Sequence, residues 1–207
     1  MKSEATKKFL AVALKELMKT KSFDKVTVKD LTDYCDINRQ TFYYHFIDIR
    51  DLMEWIIYED SKKIIANNKT AETWEKGYLD ILVHLKADKD FFMNLYNSYS
   101  LRNLEDYLYK ITFDLMESVV EEESQGKTVS EDDKKFIADF LKYAFVGLTL
   151  DWIKRGMKDD PKLLVKKLAN TCTGFISGAL KNCRIDKRYK FHKKRHFKER
   201  CRIFNHF

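Results

Sequence analysis

Residues Arg39 to His45 carry a guanidinium, a carboxamide, three hydroxyls and an imidazole within seven consecutive positions. Phe42 and the following Phe46 are spaced i, i+4, so both belong to a core and serve to position a helix. Tyr43, Tyr44 and His45 are adjacent and cannot all face that core. At least some of them therefore stand on the surface. Catalytic use of His45 has no sequence support. No GxSxG, HExxH, GxGxxG or P-loop pattern accompanies it, so no enzyme is expected. Cys35, Cys172, Cys183 and Cys201 show no CxxC pairing or metal-like spacing; they read as reduced thiols, with no metal and no cofactor.

The elements that must hold these residues read as helices. A composition of 44% hydrophobic and 14% aromatic residues is that of a folded domain, and a single proline leaves little to interrupt helices. An all-α fold follows. No run approaches the ~18 apolar residues a membrane span needs, which predicts a cytoplasmic protein without a membrane partner. The net charge of +7 is misleading, because residues 184–207 carry ten Lys/Arg against two acids and the other 183 residues sum to about −1. Residues 1–50 have only a modest excess of +3.

Leu10, Ala13, Leu14, Leu17 and Met18 form an apolar stripe on a first helix from about Glu4 to Thr20. Thr27 to Asp30 matches a capping box opening a brief second helix that stops near Tyr34. Asn38 is an N-cap candidate for a third run to Phe46, so two short helices about three residues apart fit a helix-turn-helix. A fourth helix repeats Ile49, Leu52, Met53 and Ile56 and runs to about Ala66. A fifth holds Trp74 to Leu85, a sixth Asp88 to Asn97, and a long seventh begins at Leu101 and ends at Glu121-Glu122-Glu123 and Gly126. Ser130 to Asp133 is another capping box. The eighth helix it opens is apolar nearly all round from Tyr143 to Ile153 and should have neighbours on more than one side. Pro161 starts a ninth to about Lys181. The expected architecture is an N-terminal helix-turn-helix domain (1–48), a larger helical effector-binding and dimerisation domain (49–183), about nine helices in all, and a basic aromatic tail (184–207) read as a disordered or recently acquired extension, with nucleic-acid or anionic-membrane contact as the alternative.

The segment from Val26 to Trp55, and above all Gln40-Thr41-Phe42-Tyr43-Tyr44-His45-Phe46, resembles the helix-turn-helix of TetR-type transcriptional regulators. That resemblance covers residues 5–56. Gly147, Trp152 and Arg155-Gly156-Met157 are similar to a Firmicutes-type C-terminal domain. Arg39 to Tyr43 with Leu52-x-x-Trp55-Ile56 are similar to the activators of dihydroxyacetone kinase operons. The resemblance implies that Arg39, Gln40, Thr41 and Tyr44 face base edges in the major groove. It further implies that Thr27, Lys29, Tyr43, His45 and Arg50 hold phosphates. Two departures stand out: Asp36 replaces a small turn residue, and Ile49 replaces a lysine, with Arg50 beside it as a substitute.

In such a regulator Trp74, Tyr78, His84, Phe92, Tyr96 and Tyr107 are candidates for an effector pocket, although a helical core needs aromatics too. The effector is a small molecule or a partner protein. Helices eight and nine are expected to pair with their copies in a homodimer, through Phe145, Leu148, Trp152, Gly174 and Gly178. Two readers on a palindromic operator follow from the few base pairs one short helix can read. The alternative is a helical protein–protein adaptor whose reader, weakened by Asp36 and Ile49, has lost strong DNA binding.

Overall fold

The computed structural model describes residues 2–65 and 70–183, with ten α-helices and no strand among them. The basic tail and Cys201 lie outside the described residues. Helix α1 (Lys2–Leu17) is followed by a single 3-10 turn (Phe23–Lys25), then α2 (Val28–Cys35), α3 (Arg39–His45) and α4 (Ile49–Ile65). The body continues with α5 (Trp74–Ala87), α6 (Lys89–Tyr96), α7 (Leu101–Ser124) and α8 (Glu131–Lys154), and ends with α9 (Pro161–Cys172) and α10 (Phe175–Asn182).

Local chemistry explains several of the starts. The Thr27 hydroxyl accepts from the Asp30 amide while the Asp30 carboxylate accepts from the Thr27 amide, so the capping box at α2 is complete. Ser130 caps α8 through the Asp133 amide, and Asp160 caps α9 ahead of Pro161, whose missing N–H costs nothing in a first turn. Helix α7 extends through the acidic triplet to Ser124, where Lys127 and Lys134 pair with Glu123 and Glu121.

One expected helix is two. Its interruption falls at Thr173 and Gly174, where Gly174 takes φ +72, and α10 starts afresh. A Cβ at that φ would be strained, so the turn calls for a glycine. Gly156 and Met157 end α8 with positive φ of 79° and 53°, and Met157 donates back to the Trp152 carbonyl while its side chain is buried. The Arg155-Gly156-Met157 stretch is therefore a helix stop.

A single apolar core runs from α1 to α10. Leu10, Ala13 and Leu14 of α1 meet Leu31, Phe42 and Phe46 at the reader end, and α4 adds Leu52, Met53 and Ile56. The most extensive packing is between α7 and α8, which a short connection folds back on each other. Helix α8 has α6, α7 and α10 as neighbours and still keeps one side open: Phe145, Val146, Thr149, Trp152 and Ile153 face inward, whereas Phe136, Phe140, Tyr143 and Leu148 are exposed.

Candidate nucleic-acid interface

Helix α3 is held from behind and presented from the front. Phe42 is buried without remainder and Phe46 nearly so, with the Phe46 ring tilted against Phe42 and edge-on to Trp55 of α4. Asn38 fixes its N-terminus by accepting from the Thr41 amide at 2.7 Å and the Thr41 hydroxyl at 2.9 Å. Asp36 closes α2 with φ 50° and ψ 49°, so the left-handed turn is made by an aspartate that tolerates it at some cost. Asp48 then caps α4 through the Asp51 amide, and Asp51 accepts from Ile47.

With its apolar side anchored, α3 turns Arg39, Gln40, Tyr43 and Tyr44 to solvent. Tyr43 is 57% exposed and Tyr44 81%. These four side chains thus share the open side of one short helix, free to meet base edges or phosphates. Thr41 and His45 are half-buried; the Thr41 hydroxyl is already used by Asn38, and the His45 ring lies edge-on to Tyr44 at 4.9 Å. Lys29 is exposed beside Asp33, and Arg50 is exposed without an acidic partner among the described residues. Thr27 is exposed, but its hydroxyl bonds to the Asp30 carboxylate at 2.7 Å. Asp30 itself is held at about 2 by the Lys21 ammonium first and the two Thr27 bonds after it. Ile49 packs against the core, while Ile47, 83% exposed, puts an apolar side chain beside the reading helix.

The six aromatic and imidazole candidates of the body stand on α5, α6 and α7. Trp74 and Tyr78 stand edge-on to Phe145 at 5.6 and 4.8 Å, and the Tyr78 hydroxyl lies 3.0 Å from the Phe145 carbonyl, to which it donates, and 2.7 Å from the Thr149 hydroxyl. His84 meets Phe92 edge-on at 5.5 Å, and Tyr96 is half-buried on α6. The Tyr107 phenol is buried with no hydrogen-bond partner among the described residues, and burial together with the Asp60 charge pushes its pKa up.

A polar junction that no local pattern announces lies where reader meets body. Lys15 of α1 reaches Asp60 of α4 at 3.1 Å and Asp88, between α5 and α6, at 2.5 Å, with the His84 Nε2 3.5 Å from Asp60. Burial pulls the Lys15 ammonium's pKa down, but the two carboxylates outweigh it and leave the ammonium firmly charged. Asp60, His84 and Asp88 come close enough together to ligate a cation, yet Lys15 already brings a positive charge to both carboxylates. No motif joins residues so far apart in sequence.

The dimer candidates divide between the interior and the surface of the chain. Phe145 and Trp152 are wholly buried within the chain, Trp152 donating its indole N–H to the Asp159 carbonyl, so neither reaches an outer surface. Leu148 and Gly174 are exposed and Gly178 is half-exposed. The outward apolar side of α8 consists instead of Phe136, Phe140, Tyr143 and Leu148, with Phe140 stacked on Phe175 of α10 at 5.3 Å.

A capped reading helix on a three-helix reader, joined to a larger helical body, defines a helix-turn-helix DNA-binding regulator. Residues 10–56 match the model of bacterial regulatory proteins of the tetR family, and residues 72–174 match a transcriptional regulator C-terminal region of TetR type. The chain belongs to the TetR family of transcriptional regulators, a family of DNA-binding proteins rather than enzymes. It is 28% identical over 161 residues to the HTH-type dhaKLM operon transcriptional activator DhaS of Lactococcus lactis subsp. lactis (strain IL1403), covering 75% of this chain and 83% of that protein. A solved structure of a dihydroxyacetone kinase operon activator DhaS shares the fold, with a TM-score of 0.67 at 24% identity over 86% of this chain and 98% of that one. No described helix is long and apolar enough to cross a membrane.

Proposed function

We propose that two copies of this chain bind a palindromic operator in the cytoplasm and that an effector held by the body changes their affinity for it. The observation that carries the reading is the open side of α3, where Arg39, Gln40, Tyr43 and Tyr44 project from a helix whose other side is fixed in the core. In this reading residues 1–48 are the reader and 49–183 the body, with α4 shared between them. Arg39, Gln40 and Tyr44 read base edges, Arg suiting guanine and Gln adenine. Thr41, engaged by its cap, contributes at the edge of that set. Lys29, Arg50, Tyr43 and His45 hold phosphates, and Thr27 adds its backbone at the start of α2.

The outward side of α8 with α10 is the surface offered to the second copy, Leu148, Gly174 and Gly178 lying on it and Phe145 and Trp152 supporting it from within. An effector, small molecule or protein, engages the body near Trp74, Tyr78, His84, Phe92, Tyr96 and Tyr107, where the unpartnered Tyr107 hydroxyl is the polar group a ligand would satisfy. The relative named as a transcriptional activator supports activation as the sense of regulation.

Selection of bound duplexes from a random DNA pool tests this, with the full chain, a chain ending at Asn182 and a Tyr43→Ala variant in parallel. The expected result is one palindrome enriched by the first two and lost with the third. Failure of the full chain to enrich any sequence would favour a protein–protein adaptor, a reading to which the exposed Ile47 and the Asp36 carboxylate beside the reader already lend weight.

A further inference from the structure

Helix α1 closes its last turn locally, the Met18 amide donating to the Leu14 carbonyl, Lys19 to Glu16, and Thr20 and Lys21 both to Leu17. The Met18 and Lys21 carbonyls just beyond it are left for a donor from elsewhere in the fold. The missing partner comes from α6, more than seventy residues further along the chain. The Asn94 carboxamide donates to the Met18 carbonyl and to the Lys21 carbonyl, each at 2.8 Å, and accepts from the Phe23 amide at 2.7 Å. Those partners fix which end of the amide is which, because two carbonyls require the NH2 and one N–H requires the oxygen.

The same short helix is tied to the reader at both ends. Asp88, preceding α6, holds Lys15 of α1, and the Tyr99 amide beyond it donates to the Asp24 carboxylate in the 3-10 turn. Helix α4 shares the Lys15 tie through Asp60, but otherwise meets the reader through apolar contacts such as Leu52, Met53 and Ile56, which tolerate sliding better than directed bonds do. We propose that Asn94 is a positioning residue: its amide fixes the α1–turn corner to α6, so that the body sets the orientation of the reading helix. A displacement of α6 then has to carry the corner with it or break three hydrogen bonds at once, which gives the body two discrete ways to hold the reader.

The inference rests on the two-copy reading only for one arm of its test. In that arm, wild type, Asn94→Ala and Asn94→Asp are compared on palindromes whose half-sites are moved apart or together by one base pair. Wild type should discriminate against the altered spacings by roughly tenfold, within the ~5–150-fold range of typical coupling, and Asn94→Ala by about threefold or less. Asn94→Asp should be at least as permissive, because a carboxylate keeps the Phe23 contact but cannot donate to two carbonyls. A residue that only adds stability would lower binding equally at every spacing.

The second arm needs neither DNA nor a dimer. Spin labels on azide-bearing residues introduced at Lys29 and Asp106 report the reader-to-body distance within one chain and spare the native thiols. Asn94→Ala should shift or broaden that distribution by on the order of 2 Å. An unchanged distribution, or an Asn94→Asp variant indistinguishable from wild type, overturns the proposal. A wild type that selects no paired half-sites sinks the two-copy reading alone and leaves the distance measurement to decide Asn94.

Discussion

Helices α3 and α8 both expose aromatic rings, and they do so with different chemistry. On α3 the exposed rings are Tyr43 and Tyr44, each ending in a hydroxyl and flanked by Arg39 and Gln40. On α8 they are Phe136, 72% exposed, and Phe140, 52% exposed, with Tyr143 and Leu148 following on the same side. The tyrosines are content in water and ready to donate to a phosphate or a base. The bare phenyl rings gain nothing from water and something from being covered. A polar-tipped set suits a wet, charged partner, whereas a contiguous apolar strip on a long helix suits a dry interface with a second copy.

The largest effect should come from charging the strip. A Phe136→Asp, Phe140→Asp double variant is expected to sediment as a single chain where wild type sediments as two, and to lose about 100-fold or more in affinity for a palindrome, since each reader then binds alone. A wild type that sediments as a single chain would abolish the contrast.

Smaller effects should separate the residues of α3 from one another. Arg39→Ala removes a side chain able to bond two atoms of one base, and a good pair of that kind discriminates by about 1–3 kcal/mol. Binding should therefore fall about tenfold to 100-fold on the preferred site and preference should relax at one base pair. Tyr43→Ala should instead weaken all sequences alike, as a lost phosphate contact does. Equal relaxation in both variants, read by selection from degenerate sites, would erase the distinction between them.

The smallest effect concerns the scaffold under the reader. Thr27→Ala removes the α2 cap and should cost about 1 kcal/mol of stability, measured by denaturant unfolding. That cost depends on pH through Asp30, whose carboxyl sits at about 2 rather than its ordinary value near 4. A depressed carboxyl stabilises fully above about pH 4 and loses its contribution as pH falls toward 2. The wild-type advantage over Thr27→Ala should shrink across that window, and a constant difference would show that the carboxylate adds nothing to the cap.

The sequence by itself determined what is local. Thr27 with Asp30, Asn38 with Thr41, and Ser130 with Asp133 announce helix starts because a cap joins groups only three residues apart. The spacing of Phe42 and Phe46 likewise announces which side of α3 is anchored, and therefore that Tyr44 points away. The tertiary structure decided what depends on distant partners. From Tyr143 to Ile153 α8 is apolar on two sides, and nothing within the helix says which one the chain's own core will take. Packing against Trp74 and Tyr78 draws Phe145 inward and leaves the strip from Phe136 to Leu148 outside. Nor does anything near Asn94 reveal that its amide completes a helix ending at Leu17, because the bond closes a loop of more than seventy residues that only the packed fold brings together.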